Sequence, residues 1–120
     1  MTYIDGFVVP VPADKRDAYL AAARMGWNVF KKYGALRMVE TLSDDIPDGK
    51  LTDFKRSVAA KPDEIVAFSW IIWPDKPTRN AGMEKMMKDP EMDAMSDMPF
   101  DMTRMIFGGF IPIFDSEEMP

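Results

Sequence analysis

The run from Ile65 to Trp73 limits what this chain can fold into more than any other segment. With the two-residue period of a strand, Val66, Phe68, Trp70 and Ile72 fall on one side, and Ile65, Ala67, Ile71 and Trp73 on the other. A strand that is apolar on both sides belongs to a sheet covered on both faces. The rest of the chain must supply those covers.

The flanking segments supply one of them. Tyr3 to Val9 is rich in β-branched and aromatic residues and is expected to be a strand that stops at Pro10 and Pro12. Asp14 to Tyr33 reads as an amphipathic helix, with Leu20, Ala23, Trp27 and Phe30 as its buried stripe and Gly34 as its left-handed C-terminal cap. Ala35 to Leu42 alternates as a strand, an acidic loop from Ser43 to Gly49 interrupts it, and Asp53 to Ala59 resumes the strand pattern. After Trp73, Asp75 caps a helix with Pro77 in its first turn, running to about Lys88 with Met83, Met86 and Met87 on one face. Asp89-Pro90-Glu91 repeats the cap-then-proline signal for a short helical segment, and Arg104 to Phe114 is expected as the last strand.

The order β-α-β-β-α-β specifies a ferredoxin-like α+β fold, one antiparallel sheet with both helices on one face. Residues 1–114 form the expected single domain and 115–120 a polar tail. Two helices cover one face only. The cheapest cover for the second is the same sheet of another copy, so a homodimer is expected.

Composition narrows the chemistry. The 120 residues include no histidine and no cysteine. Ser-His-Asp and Cys-His nucleophilic sites, the usual zinc sites, His-ligated haem, iron–sulfur clusters and disulfides are thereby excluded from this chain's own residues. Catalysis must rest on carboxylates, Arg or Lys, Tyr, Trp, methionine sulfur or an imported cofactor. Lys and Arg number 15 against 20 Asp and Glu, a net charge of -5 with the basic residues scattered, which speaks against a nucleic-acid partner. No stretch approaches the ~18 apolar residues of a membrane helix. The first residues, Met1 to Gly6, have no basic leader pattern, so a cytoplasmic protein is expected.

Several segments together resemble a known family. They are Tyr3-Ile4-Asp5-Gly6-Phe7-Val8-Val9, Pro12-Ala13-Asp14-Lys15, Tyr33-Gly34-Ala35-Leu36-Arg37, Val39-Glu40, Pro47-Asp48-Gly49-Lys50 and Thr52-Asp53-Phe54. Phe68-Ser69-Trp70-Ile71, Lys85-Met86-Met87, Asp89-Pro90, Met98-Pro99-Phe100-Asp101 and Arg104-Met105-Ile106-Phe107-Gly108-Gly109-Phe110 complete the set. The chain resembles the bacterial YbaA-like family of uncharacterised proteins, of the dimeric α/β-barrel superfamily. The resemblance implies the fold and the dimer, and no activity. The wider superfamily holds cofactor-free oxygenases, haem-degrading enzymes, isomerases and stress-response proteins, and the absence of histidine removes the His-ligated haem branch.

Three constellations carry candidate chemistry. Charges stand inside strands: Asp5, Arg37, Glu40, Asp53, Arg56 and Arg104. In a catalytic reading, Arg37 or Arg104 orients an anionic ligand oxygen, and Asp5 or Glu40 accepts a proton. In a structural reading the same residues form ion pairs, within the chain or across the dimer. Methionines crowd one region, at 83, 86, 87, 92, 95, 98, 102 and 105. They read as core or interface packing, as a pocket wall, or as soft ligands for Cu(I). Aromatics, among them Trp27, Trp70, Trp73 and Phe30, fill a core or line a flat cavity.

Gly108-Gly109 marks a bulge or close backbone approach, not a phosphate loop. Asp44, Asp45 and Asp48 lack calcium-loop spacing and read as solvated turn residues. The expectation is a small-molecule-binding protein needing no metal and no cofactor, a cofactor-independent oxygenase or isomerase acting on an aromatic or enolisable metabolite. Trp70, Met83 and Met87 would form the ligand wall. The alternative is a non-enzymatic dimeric interaction or stress-related module.

Overall fold

The structure, a computed structural model, describes residues 2–93 and 98–118. Met95 of the methionine group therefore lies outside the described residues, as do Met119 and Pro120 of the polar tail. Four strands, β1 (Tyr3–Pro12), β2 (Arg37–Leu42), β3 (Glu64–Trp73) and β4 (Ile106–Phe110), form one sheet in the order β2-β3-β1-β4. Every neighbouring pair is antiparallel. Helices α1 (Arg16–Lys32), α2 (Phe54–Ser57), α3 (Lys76–Met86) and α4 (Pro90–Asp93) complete the set, with single 3-10 turns at Ala13–Lys15 and Met102–Arg104. This is the ferredoxin-like α+β architecture.

Register assigns the faces. Tyr3, Asp5, Phe7, Val9 and Val11 of β1 lie opposite Trp73, Ile71, Ser69, Ala67 and Ile65 of β3, and this face carries α1 and α3. Ile4, Gly6 and Val8 share the other face with Phe68, Trp70 and Ile72 of β3 and with Ile106, Gly108 and Phe110 of β4. The two-sided apolar character of β3 is as the sequence reads. At one end of the second face the segment after β2 provides a partial cover, with Phe54 edge-on to Phe68 at 5.9 Å. Elsewhere Phe68, Ile106 and Phe110 are exposed around a depression of about 610 Å³.

Local signals explain the ends of elements. Helix α1 closes on a Schellman motif: Gly34 at φ 106° donates to the Lys31 carbonyl, and Ala35 donates to the Phe30 carbonyl. Asp75 caps α3 by accepting the Thr78 amide at 2.7 Å. A Cβ on Gly109 would stand 2.1 Å from the Tyr3 hydroxyl, so the glycine permits close approach of β4 to β1 within the chain.

Four expectations about local structure are corrected. Asp53 to Ala59 is not a strand: Asp53 accepts the Arg56 amide at 2.8 Å and starts the one-turn helix α2. The last strand is shorter at both ends. Asp101 caps the 3-10 turn before it by accepting the Thr103 amide at 2.9 Å, and Ile111 to Phe114 belong to no regular element. Pro112, which has no N–H to give a ladder, lies in that segment. Strand β1 runs through both of its prolines, because β4 starts opposite Val8 and leaves that side of β1 beyond it without a neighbour. The buried stripe of α1 is Tyr19, Gly26 and Val29, while Leu20 is exposed and Trp27 only partly buried.

Candidate functional site

The shifted stripe of α1 creates the site. The core on the helix face divides into two clusters, one around Tyr3, Val29, Ile71 and Trp73, the other around Val9, Val11, Tyr19 and Ala67. Opposite the middle of the sheet, α1 presents Ala22, Ala23 and Gly26, whose small side chains do not fill the space. A cavity of about 170 Å³ results, floored by Phe7, Val9, Met38, Glu40, Ser69 and Ile71. Phe30, Phe100 and the methionines at 92, 98, 102 and 105 close its sides. Engineered apolar cavities of ~150 Å³ take up benzene.

Three polar groups face this apolar space. The Tyr19 hydroxyl donates to Glu40 Oε1 at 2.6 Å, and the buried Ser69 lines the same space beside them. Burial pushes the Glu40 carboxyl above the usual carboxylate range, and the neighbouring Tyr19 and Ser69 hydroxyls offset only part of that. Burial and the adjacent carboxylate push the Tyr19 phenol far above its ordinary value, so it stays a hydrogen-bond donor. Among the described residues, no Lys or Arg lines the cavity. A carboxylate facing an apolar cavity without a cation is a proton acceptor whose affinity is raised by its surroundings.

The other expected site residues lie elsewhere. Asp5, only 3% exposed, accepts the Trp73 indole N–H at 2.9 Å and a fork from Arg79 at 2.8 and 3.1 Å. Arg79 also lies 5.2 Å from the centre of the Tyr3 ring. Arg104 pairs with both oxygens of Glu64 at 2.6 and 2.8 Å and with Asp101 at 2.9 Å. It holds the Glu64 carboxyl low, and it helps Thr103 hold that of Asp101 at about 2. Asp53 accepts amides at the start of α2, and Arg56 pairs with it.

Trp70 stands on the far face of the sheet, its ring tilted against Phe68 at 5.5 Å. Met83 packs against the core cluster around Trp73, and Met87, at the end of α3, is 85% exposed. Neither lines the cavity.

Arg37 faces away from Glu40 by register, opposite Ile72, but β2 is an edge strand. Around that edge both residues line a crevice between α1 and β2. Sequence reasoning missed Tyr19 and Ser69. The signals were a serine inside the most apolar strand and a small-residue stretch, Ala21-Ala22-Ala23 with Gly26, along one helix.

A four-stranded antiparallel sheet with helices packed on one face and an apolar cavity beneath its first long helix defines a ferredoxin-like α+β protein. Solved structures of that kind include an uncharacterized NIPSNAP domain protein from Burkholderia xenovorans, with TM-score 0.56 and 16% identity, covering 92% of this chain and 93% of the other. A putative antibiotic biosynthesis monooxygenase from Nitrosomonas europaea gives 0.52 and 15%, covering 94% and 91%. The chain belongs to the family described as "Protein of unknown function (DUF1428)", whose model matches residues 2–102. It is 53% identical over 116 residues to the "Uncharacterized protein YbaA" of Escherichia coli strain K12 and of Shigella flexneri, covering 96% of this chain and 99% of each relative. The resemblance read from the sequence is therefore one of membership. Among the described residues, no helix is long and apolar enough to cross a membrane.

Proposed function

We propose that this protein binds a neutral single-ring aromatic or enolisable group in the cavity beneath α1, and that Glu40 takes a proton from it. The observation that carries this reading is a carboxylate with no ion pair among the described residues, held by a phenol and facing about 170 Å³ of apolar space. In the step, a C–H bond beside a carbonyl breaks. The proton passes to Glu40, and the electron pair is delocalised as an enolate. Returning the proton to another carbon completes an isomerisation. With dioxygen as the oxidant, a CH₂ becomes C=O and one water leaves, which needs no further reductant. The monooxygenase name of the Nitrosomonas europaea protein fits the second outcome.

The unit is a homodimer joined through the second sheet face, a reading supported by the exposed Phe68, Ile106 and Phe110 around an apolar depression. The ion pairs of Asp5 and Arg104 within the chain favour a structural role for those two charges. They are the observation on which a purely structural dimeric module would rest.

The test uses phenylacetone in D₂O, followed by NMR. Wild type accelerates exchange of the benzylic hydrogens, and Glu40→Gln does not. Exchange that is equal in both proteins, or no binding of phenylacetone and 4-ethylphenol at millimolar concentration, would overturn the proposal.

A further inference from the structure

The cavity has a neighbour on the outside of the molecule. Ala23, Met38 and Glu40 line the cavity and also the open crevice of about 710 Å³ between α1 and β2. These three residues are therefore the partition between the two spaces, and Glu40 borders both. The crevice differs from the cavity in chemistry. Arg24 and Arg37 are its cations, and the exposed Leu20 and Leu36, with Trp27, give it apolar walls. Among the described residues neither arginine has an ion-pair or hydrogen-bond partner, in a chain of net charge -5. Elsewhere the arginines at 56, 79 and 104 are engaged with carboxylates, and Arg16, which lines a smaller pocket with Tyr19 and Glu40, has no such partner among the described residues. Two unpaired guanidinium groups beside an aromatic side chain, at the edge of an apolar cavity, match an anionic group attached to an apolar one.

We infer that the crevice is the outer half of the same site, and that the ligand is an arylalkanoate: one ring inside the cavity, and a carboxylate in the crevice held by Arg24 and Arg37. The inference rests on the cavity reading and names its substrate class. It also gives Glu40 its position, since the carbon joining ring to carboxylate passes the partition where Glu40 stands. The two arginines bind and orient, and Glu40 faces the carbon that joins ring to carboxylate.

The test compares 3-(4-hydroxyphenyl)propanoate with 4-ethylphenol, which keeps the ring and lacks the carboxylate, by calorimetry and NMR titration. Wild type binds the carboxylate at least about tenfold more tightly at 50 mM salt, the range of one charge-assisted pair, and the preference shrinks at 500 mM. In Arg24→Gln/Arg37→Gln the preference disappears while 4-ethylphenol binds as before, with the variant's urea midpoint confirming its fold. Equal binding of the two probes by wild type, or a preference that survives in the double variant, would refute the inference and leave the cavity reading standing. Carboxylate binding that depends on the arginines, with no binding of 4-ethylphenol and no ring signal from the cavity, would place the whole ligand in the crevice. That result would overturn both.

Discussion

Ala22→Leu separates packing from binding, because one substitution acts on both in opposite directions. Ala22 borders the cavity of about 170 Å³, and leucine adds three carbons at a helical position where its propensity is close to alanine's. Each buried CH₂ is worth about 0.8 kcal/mol, so complete burial gives roughly 2.4 kcal/mol. Ordering a leucine side chain costs about 0.5–1 kcal/mol, which leaves a net gain of about 1–2 kcal/mol. For a domain of this length the unfolding entropy is about 0.25 kcal/mol per kelvin, so Tm rises by about 4–8 °C.

The added side chain takes the room a ring would occupy, so binding of 4-ethylphenol is lost. Ligand at 100 times its Kd adds about 2.7 kcal/mol to wild type alone. The order of stabilities therefore inverts: the variant is more stable without 4-ethylphenol, and wild type is more stable with it. Urea denaturation with and without the ligand reads both halves. A variant destabilised by more than 1 kcal/mol would show that the space is not there to be filled. A stabilised variant that still binds the ring would show that the ring sits elsewhere.

Glu40→Gln is expected to be more stable than wild type at pH 7 and equal to it near pH 4. A carboxyl raised by burial contributes its full stability below its unfolded value and loses it as pH rises through the folded one, and glutamine has no such loss; a stability difference that does not change with pH would refute this. Asp5→Ala should cost about 3–5 kcal/mol by urea denaturation, since it strands the fully buried Trp73 indole N–H and removes the fork from Arg79; a loss under 1 kcal/mol would contradict the role assigned to the pair. Phe110→Asp, on the exposed second face, should convert the dimer to monomer in sedimentation at micromolar concentration; a wild type that is itself monomeric there would remove the dimer from the proposal.

How much of this was legible in the sequence follows from which signals survive without neighbours. The two faces of β3, the Asp75 cap and the Gly34 terminus are local events, governed by period two, by one side chain on one amide, and by one left-handed residue. The segment from Asp53 to Ala59 misled for an equally local reason. Phe54 and Val58 are four apart, a spacing that a strand's alternation and one helical turn both satisfy, and the Asp53 carboxylate on the Arg56 amide decides for the turn. The phase of α1 was set by its large residues, Leu20 and Trp27, because alanine and glycine carry almost no hydrophobic signal. That same silence hid the cavity, since an unfilled space is written in the residues that are too small to announce themselves.

The charged residues of the strands and of the turns beside them show why the site could not be assigned before the register was known. Arg37 and Glu40 are an odd number of residues apart, so the pleat sends them to opposite faces, and only the edge position of β2 lets both reach one crevice. Asp5 and Arg104 are no less buried or charged than a catalytic pair would be, yet each is answered by opposite charge within 3 Å. Glu40 is answered by a neutral phenol instead. An ion pair holds a carboxylate in its charged form, whereas the phenol offsets only part of what burial adds to the proton affinity of Glu40. The distinction between the structural carboxylates of this fold and the one that faces the cavity is therefore the identity of a single partner, supplied by a tyrosine 21 residues away in sequence.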